Sequence, residues 1–443
     1  MKFLYGLALA LIFFEGFISQ CVGAGGSEDA STSLNLRNLP SNVYEEILFR
    51  TGFSATEDAA KDRQRSSAAV KKILEDRIIQ IVPINFDNEK MHEFDLGGYI
   101  YLNIYGVNKA LSLFKNFGNL IKKIKVDYKF IDQVDDNIRH QINENIITKY
   151  AKQFTEFHIV ASNAFLTFLD ELSNGGERIR FPNVKKLVYH GPDFGNSYDL
   201  NSIFPNLESL TLHYNYMYVS NSFMQINMTC MENVTKLKEL KLEINPDSYQ
   251  LHELEKVFSK NKQLSTLGLV LTNKIDILRS VEIHVKTVQT LDIQVDSTEF
   301  LNHVSEKHSF NMPTLKKLHL SKSCRDCRII NFINCFKKLK TLEVWTHVDF
   351  IVSNFEKLIE INEFIMNNIP FIMNTKKILQ IFGRKKKLNM VKWEPVAKDE
   401  YNTFKFELSD INKELKQSHE PTWKINYINP KTSYGYILMM RSK

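Results

Sequence analysis

Six-residue segments with apolar residues at their first, fourth and sixth positions recur through the middle of the chain. Consecutive hexads begin 23 to 33 residues apart. The fourth and sixth residues would point to the same side of a short strand, because side chains alternate along a strand. One such unit cannot bury its own apolar side, but stacked units share a continuous core. The nine hexads are Ile121–Val126, Phe154–Ile159, Val184–Tyr189, Leu207–Leu212, Leu237–Leu242, Leu264–Leu269, Val288–Ile293, Leu315–Leu320 and Leu339–Val344, and Tyr99–Ile104 is a tenth candidate.

The hexads predict an α/β fold in which one parallel sheet is built from one strand per unit. The pattern resembles the leucine-rich repeat family over residues 99–346, and the domain we assign to it is 81–346. The resemblance implies a solenoid with a curved, concave sheet and a helical or irregular convex side. Tyr249–Ser259 and Arg328–Phe336 have room for helices between strands. Only Asn215 and Asn245 match the family's turn asparagine, so we expect an irregular array.

The concave face of the predicted sheet is the strongest candidate for a binding surface, because its residues flank the inward apolar positions. Their mixed polarity favours a protein partner over nucleic acid, which needs a sustained basic stripe. Trp345 is the best anchor candidate, since aromatic residues carry much of the energy of protein interfaces. An inert, solvated sheet face is the alternative. The candidate residues are His158, His190, Thr211, His213, Lys241, Glu243, Asp292, Gln294, His319, Glu343 and Trp345.

Two of these residues, His190 and His213, occupy equivalent positions in neighbouring units. Stacking would place them about 5 Å apart, close enough to share a metal ion or to repel each other when protonated. No third ligand is evident from the spacing, so we predict no metal and no cofactor. The chain also contains no glycine-rich nucleotide motif, zinc-protease motif or nucleophile elbow, which favours a non-enzymatic protein.

Residues 1–24 are typical of a secretory signal peptide. Lys2 precedes an apolar run from Phe3 to Phe14, and Glu15 ends that run too early for a membrane-spanning helix. A buried apolar N-terminal helix is the alternative. Residues 25–36 would form a flexible linker. Over the whole chain 43% of the residues are hydrophobic and 24% are charged, which is typical of a soluble globular protein. With the signal peptide, we expect a secreted protein that does not bind membranes.

Export makes two kinds of covalent modification relevant. Asn227 and Asn233 begin N-glycosylation sequons. Cys335 has two nearby potential disulfide partners, Cys324 and Cys327, while an unpaired structural role for these cysteines is the alternative. The pair Cys324 and Cys327 has no second pair at zinc-binding spacing. The basic run at residues 384–387 fits either a solvated turn or a site for nuclear import or phosphate binding.

An amphipathic segment precedes the repeats. Pro40 suits the first turn of a helix, and Val43 and Ile47 would share one helix face. A second amphipathic segment runs from Ala69 to Ile78. Residues 37–80 resemble a degenerate F-box that lacks the family's usual tryptophan. The residues that match the opening of the motif are Leu39, Pro40, Val43, Ile47 and Leu48.

The F-box resemblance implies a partner for these N-terminal helices. In that family the module docks on a Skp-type linker of cullin–RING ubiquitin ligases, while the repeats hold the substrate. With a signal peptide, the architecture is similar to secreted effectors of gall-forming insects and parasitoid venoms, which implies action inside host cells. The alternative is an extracellular ligand-binding or immune-recognition repeat protein, in which these helices only cap the first repeat.

Residues 347–443 are predicted to form an α+β cap at the end of the array, because the nine hexads stop at Val344; a separate small domain is the alternative. Phe355–Met366 has the pattern of a helix. Alternating apolar residues predict strands at residues 404–408 and 423–427, and Tyr436–Met440 predicts a returning strand.

Overall fold

The chain divides into two units, Met1–Ala69 and Val70–Lys443. The computed structural model describes residues 74–83, 92–96, 99–174, 179–191, 198–214, 228–244, 248–271, 283–295, 310–321, 328–345, 354–367, 375–396, 398–428 and 435–442, all in the second unit. The predicted signal peptide, linker and F-box-like residues Leu39, Pro40, Val43, Ile47 and Leu48 lie outside these residues.

Sixteen of the strands form one sheet that is mostly parallel. The described strands are β1 Ile78–Val82, β2 His92–Leu96, β3 Tyr99–Tyr105, β4 Lys123–Asp127, β5 Glu156–Val160, β6 Lys186–Gly191, β7 Ser209–Tyr214, β8 Glu239–Ile244, β9 Thr266–Leu271, β10 Ile283–His284, β11 Thr290–Val295, β12 Phe310–Asn311, β13 Lys317–Ser321, β14 Thr341–Trp345, β15 Glu363–Asn367, β16 Met390–Val396, β17 Trp423–Ile428 and β18 Gly435–Arg441. The order across the large sheet is β17-β18-β16-β15-β14-β13-β11-β9-β8-β7-β6-β5-β4-β1-β3-β2. Only the pairs β2–β3, β16–β18 and β17–β18 are antiparallel within it. The short strands β10 and β12 pair only with each other.

Helices and helical turns fill many of the connections between strands. The predicted helices at Tyr249–Ser259 and Arg328–Phe336 are confirmed as Ser248–Lys260 and Arg328–Asn334. The helices are α1 Val107–Phe117, α2 Tyr128–Ile131, α3 Asp136–Ile142, α4 Asn163–Asn174, α5 Leu200–Ile203, α6 Ser248–Lys260, α7 Arg328–Asn334, α8 Thr375–Arg384 and α9 Lys398–Gln417. A π-helical segment, Asn143–Thr148, follows α3, and 3₁₀ turns lie at Gly118–Leu120, Met228–Met231 and Phe355–Lys357. The chain is therefore an α/β protein with a large, mostly parallel sheet.

Each predicted hexad builds the same local structure. Leu210, Leu240 and Leu267 lie in register on neighbouring parallel strands, and all three are fully buried. The register continues from Leu267 through Leu291 to Leu318. Before each strand, the carbonyl of the hexad's second residue accepts hydrogen bonds from the second and third residues of the next hexad. This pattern links consecutive hexads, so the sequence repeat corresponds to a repeat in hydrogen bonding.

The same repeat continues beyond the end that the nine hexads predict. The Lys340 carbonyl accepts from Asn362 and Glu363, and the Asn362 carbonyl accepts from Asn389 and Met390. Two further hexads, Ile361–Met366 and Leu388–Trp393, therefore supply the parallel strands β15 and β16. The parallel array extends to Val396 rather than ending near residue 346, and the predicted helix at Phe355–Met366 is wrong.

The first strands of the sheet also differ from the prediction. Ile78, assigned from its sequence to an amphipathic helix, begins strand β1. This strand lies between β3 and β4, so the candidate hexad Tyr99–Ile104 is not adjacent to the unit at Ile121. Leu102 and Ile104 of β3 are buried as predicted. The hexad pattern does not predict strand β1, because Asp76 occupies the position where a hexad begins with an apolar residue.

The C-terminal residues 398–441 combine one helix with an antiparallel strand pair. Strands β17 and β18 are confirmed at the predicted places. The predicted strand at residues 404–408 is wrong, because these residues lie within α9. Phe404, Leu408 and Ile411 are buried at helical spacing, and the Phe404 ring contacts buried Trp393 at 5.9 Å between centroids. Helix α9 therefore covers the side of the sheet on which the hexads bury their apolar residues.

Candidate functional site

The opposite side of the sheet, here called the open face, carries the strand residues that alternate with the buried ones. Its central row runs in register across strands β4 to β14, as the hexads predict. The row consists of Lys125, His158, Val188, Thr211, Lys241, Gly268, Asp292, His319 and Glu343. The candidate residues His190, His213, Glu243, Gln294 and Trp345 follow in the next row of the same face.

The open face near β5 is not free for a partner, because tyrosines of β3 cover it. His158 is only 2% exposed, which corrects its assignment as a solvent-facing residue. Its Nε2 lies 2.8 Å from Glu156 Oε1, and its Nδ1 lies 3.2 Å from the Tyr101 hydroxyl. The Tyr99 ring packs edge-on against the imidazole at 4.8 Å. This part of the face is closed by its own side chains.

Burial under the tyrosines shifts the pKa values of the ionisable groups there. Burial is the main cause that lowers the pKa of His158, although Glu156 opposes it. Burial alone would raise the pKa of Glu156, but His158 and Lys186 hold it below its ordinary value. Lys186 lies 3.4 Å from Glu156 and stands over the Tyr99 ring at 4.5 Å. The cluster is an internally neutralised polar network.

His190 and His213 meet as their spacing predicts. Their rings stack at 4.1 Å between centroids, with an angle of 8° between their planes. Burial first, and then His213, lowers the pKa of His190 from 6.5 to about 3. His190 is therefore neutral at physiological pH, so the pair does not repel there.

The middle of the face is shaped by Gly268. A Cβ atom at this position would lie 2.7 Å from Cγ of Lys241, so the glycine leaves room for the lysine's aliphatic stem. Lys241 Nζ lies 3.3 Å from Glu239, which precedes it on β8. Thr211, on the neighbouring strand, is buried rather than solvent-facing. The lysine in the middle of the face is therefore already ion-paired.

The C-terminal third of the open face is the part that brings predicted residues together. His319 Nδ1 lies 2.9 Å from Asp292 Oδ1, and its Nε2 lies 4.0 Å from Glu343 Oε1. Trp345 is 42% exposed, and its ring lies 6.1 Å from the His319 ring between centroids. Asp292, Gln294, His319, Glu343 and Trp345 thus line one accessible surface.

Sequence reasoning missed several residues of this surface. Lys317 Nζ lies 2.7 Å from Glu343 Oε2, and the Asn367 amide donates to Glu343 Oε1 at 2.6 Å. Lys317 could have been found, since it precedes a hexad's fourth residue and so faces the open side. Asn367, Met440 and Ile428 could not, because the strands that carry them lie beyond the predicted end of the array.

Other predicted sites have separate surroundings. Asn233 is exposed and its amide donates to Asp199 at 3.3 Å, whereas Asn227 lies outside the described residues. The Cys335 thiol donates to the Asn331 carbonyl at 3.3 Å, and Cys324 and Cys327 lie outside the described residues.

The basic run at residues 384–387 is partly engaged within the fold. Arg384 pairs with Glu356 at 2.8 Å. Lys385 is buried and donates to the carbonyls of Glu356 and Leu358. The basic run therefore does not form a fully solvated turn.

The chain matches no protein-family model, and no curated protein has significant sequence similarity to it. Among the residues that the structure describes, no three His, Cys, Asp or Glu side chains are arranged to hold a metal ion. Within that same part of the chain, no helix has the length and apolarity needed to cross a membrane.

Proposed function

We propose that the chain is a secreted leucine-rich-repeat solenoid that binds a protein partner on the C-terminal third of its open face. The site offers hydrogen-bonding and charged groups beside an exposed indole, which suits a polar protein surface. It offers no nucleophile, base and oxyanion donor in one cleft, so binding rather than catalysis is the function this geometry supports best.

The proposal rests on the positions of the exposed apolar side chains. In the described part of the chain, the large exposed hydrophobic residues are Trp345, Phe406, Ile428 and Met440. Register pairing places Trp345, Ile428 and Met440 on the open face, with exposures of 42%, 37% and 41%. Exposed apolar groups concentrated on one face, among polar residues, are typical of interaction surfaces.

The proposal extends to a two-ended adaptor. The resemblance of Leu39, Pro40, Val43, Ile47 and Leu48 to an F-box supports docking of the N-terminal region on a Skp-type linker. The repeats would then hold the substrate of the ligase. The signal peptide supports export, so the adaptor would act as an effector inside the cells of a host.

A binding assay with a purified Skp-type linker tests the adaptor half. The mature protein should capture the linker, and Ile47→Asp should abolish capture, since an unpaired carboxylate in an apolar contact costs several kcal/mol. Trp345→Ala should leave linker capture unchanged. Failure of the folded wild type to bind linkers from plausible hosts would favour the N-terminal helices as a structural cap.

A further inference from the structure

Lysines are concentrated along one edge of the large sheet, where the chain enters each parallel strand. Eleven hexads build this edge, from Ile121–Val126 to Leu388–Trp393. We define the lysine rim as the two residues before each of these hexads together with the hexad's second residue. These positions hold thirteen lysines and only two acidic residues, Glu208 and Glu360. The whole chain has a net charge of only +6, so the rest of the chain is net acidic.

Backbone hydrogen bonds hold the rim positions in a continuous row. The carbonyl of each hexad's second residue accepts from the N–H of the next hexad's second residue, as Lys316 accepts from Lys340 at 2.7 Å. Neighbouring strands lie about 4.8 Å apart, so the eleven units extend this row over roughly 48 Å. Twelve of the thirteen lysines are exposed, and Lys122 is half-buried. The rim is therefore a long, narrow and accessible line of positive charge.

The acidic groups of the protein neutralise little of this charge. Within the described part of the chain, Glu208 is the acidic residue that forms ion pairs with rim lysines, at 3.3 Å from Lys185 and 2.6 Å from Lys238. Glu360 instead accepts a hydrogen bond from the backbone N–H of Lys387. A row of like charges attracts anions and concentrates them at the surface. The rim thus has the electrostatic character of a binding site for a long anion.

We propose that the lysine rim binds a linear sulfated polysaccharide of the extracellular space. Such a chain carries negative charge along its length, as the rim carries positive charge. The choice of an extracellular ligand rests on the proposed export of the protein. All thirteen cations are lysines, which act as point charges, whereas arginine is the residue that recognises bases and phosphates through two-point contacts. This composition fits attraction to a charged chain without readout of nucleotide bases.

The other side chains of the rim disfavour two competing anionic partners. The rim positions include no aromatic residue on which the bases of a single-stranded nucleic acid could stack. Proteins that lie on a membrane surface bury apolar side chains in it. The large exposed hydrophobic residues of the described chain all lie outside the rim: Trp345, Phe406, Ile428 and Met440.

Titration of the purified mature chain with heparin, a sulfated polysaccharide, measures this binding directly. Affinity should rise with the length of the heparin fragment until the fragment spans roughly 48 Å, because longer fragments reach more lysines. Each lysine that displaces a counterion adds roughly 0.7–0.9 to the slope of log Kd against log salt concentration, so six engaged lysines would give a slope of about 4–5. Heparin stripped of its sulfate groups should bind much more weakly.

Paired lysine-to-glutamine variants locate the site. Lys338→Gln with Lys340→Gln should weaken heparin binding at least about tenfold at 0.1 M salt and lower the salt slope by about 1.5. Lys109→Gln with Lys405→Gln is the matched control. Both of these lysines are exposed, on helices α1 and α9, and neither belongs to the rim. The control removes the same net charge and should bind heparin like the wild type.

Two further variants test whether the site is continuous and separate from the open face. Lys152→Gln with Lys185→Gln, near the other end of the rim, should also weaken the binding of long heparin. Trp345→Ala should bind heparin like the wild type, so the rim proposal can fail while protein binding on the open face holds. Thermal unfolding checks that each variant folds.

The rim proposal is overturned if the wild type does not bind heparin at 0.1 M salt, or if folded rim variants bind like the wild type. It is equally overturned if the control pair loses as much affinity as the rim pairs. Duplex DNA of the same length, or vesicles containing phosphatidylserine, should bind more weakly than heparin. Equal or tighter binding of either would assign the rim to nucleic acid or to a membrane instead.

Discussion

Replacing Trp393 with alanine tests whether the parallel array extends past residue 346. Trp393 is only 1% exposed, and its strand pairs in parallel with β15. Its ring packs edge-on against Phe404 of α9. It is the sixth residue of the hexad Leu388–Trp393, equivalent to the buried Leu212 and Leu242. Its side chain should therefore be part of the core that the repeats share.

The expected cost of Trp393→Ala is about 3–5 kcal/mol, because truncating a buried aromatic side chain removes transfer energy and leaves a cavity. Trp345→Ala is the matched control: the same chemical change two strands away, on the open face, should cost at most about 1 kcal/mol. In stacked-repeat proteins each unit contacts only its neighbours, so the loss should be largest in strands β15 to β18.

Native-state hydrogen exchange with peptide resolution measures this distribution. Peptides covering β15, β16 and β18 should lose protection in Trp393→Ala, while peptides covering β7 and β8 should change much less. Trp345→Ala should leave both groups near the wild-type value. Equal effects of the two substitutions, or no effect of Trp393→Ala on β15 and β16, would refute the assignment of Leu388–Trp393 as a repeat unit.

Three further predictions concern single residues. The pKa of His190 is about 3 in the folded protein and its ordinary value is 6.5, so the unfolded chain binds more protons between these two pH values. The free energy of unfolding should therefore fall as the pH drops through this range, by at most about 1.4 kcal/mol per pH unit. Denaturant titrations of His190→Asn should show a shallower pH dependence. Buried Asn261 accepts from Leu237 N–H and donates to two carbonyls, so Asn261→Ala should cost about 2–4 kcal/mol in urea unfolding, whereas exposed Asn233→Ala should cost under about 0.5 kcal/mol. Secreted protein should lose mass on glycosidase treatment, and Asn233→Gln should remove part of that loss.

The repeat itself could be predicted from sequence because it combines two simple physical requirements. A short strand that buries one side needs apolar residues two positions apart, and the residue that leads into it must also be buried. Leu267 and Leu318 satisfy both requirements, and the structure places them as expected. Register then follows, because a one-residue slip would turn every apolar side chain outward.

The ends of the array were harder to predict. The hexad Ile361–Met366 obeys the pattern, but the apolar run around it also fits a helix. Strand β1 begins after Asp76 and lacks the leading apolar residue. In α9 the spacing of Phe404, Phe406 and Leu408 fits a strand, and only the burial of Phe404, Leu408 and Ile411 distinguishes the helix.

The sequence predicted which residues of the candidate surface align across the strands, but not which of them are exposed. Periodicity placed His158 and His319 in the same row, and both lie there. It could not reveal that Tyr99 and Tyr101 of β3 close over His158, because that contact joins strands that are not neighbours. Nor could it reveal the Lys317 and Asn367 contacts to Glu343, which depend on side-chain conformation.

Site-specific photo-cross-linking would show directly whether the open face binds a protein. A photoreactive phenylalanine analogue would replace Trp345 on the open face, or Phe406, which is 74% exposed on α9 on the opposite side of the sheet. After irradiation of the mature protein in host-cell extract, we expect a discrete cross-linked protein from position 345 and none of that mass from position 406. Cross-links of the same mass from both positions, or from position 406 alone, would contradict it.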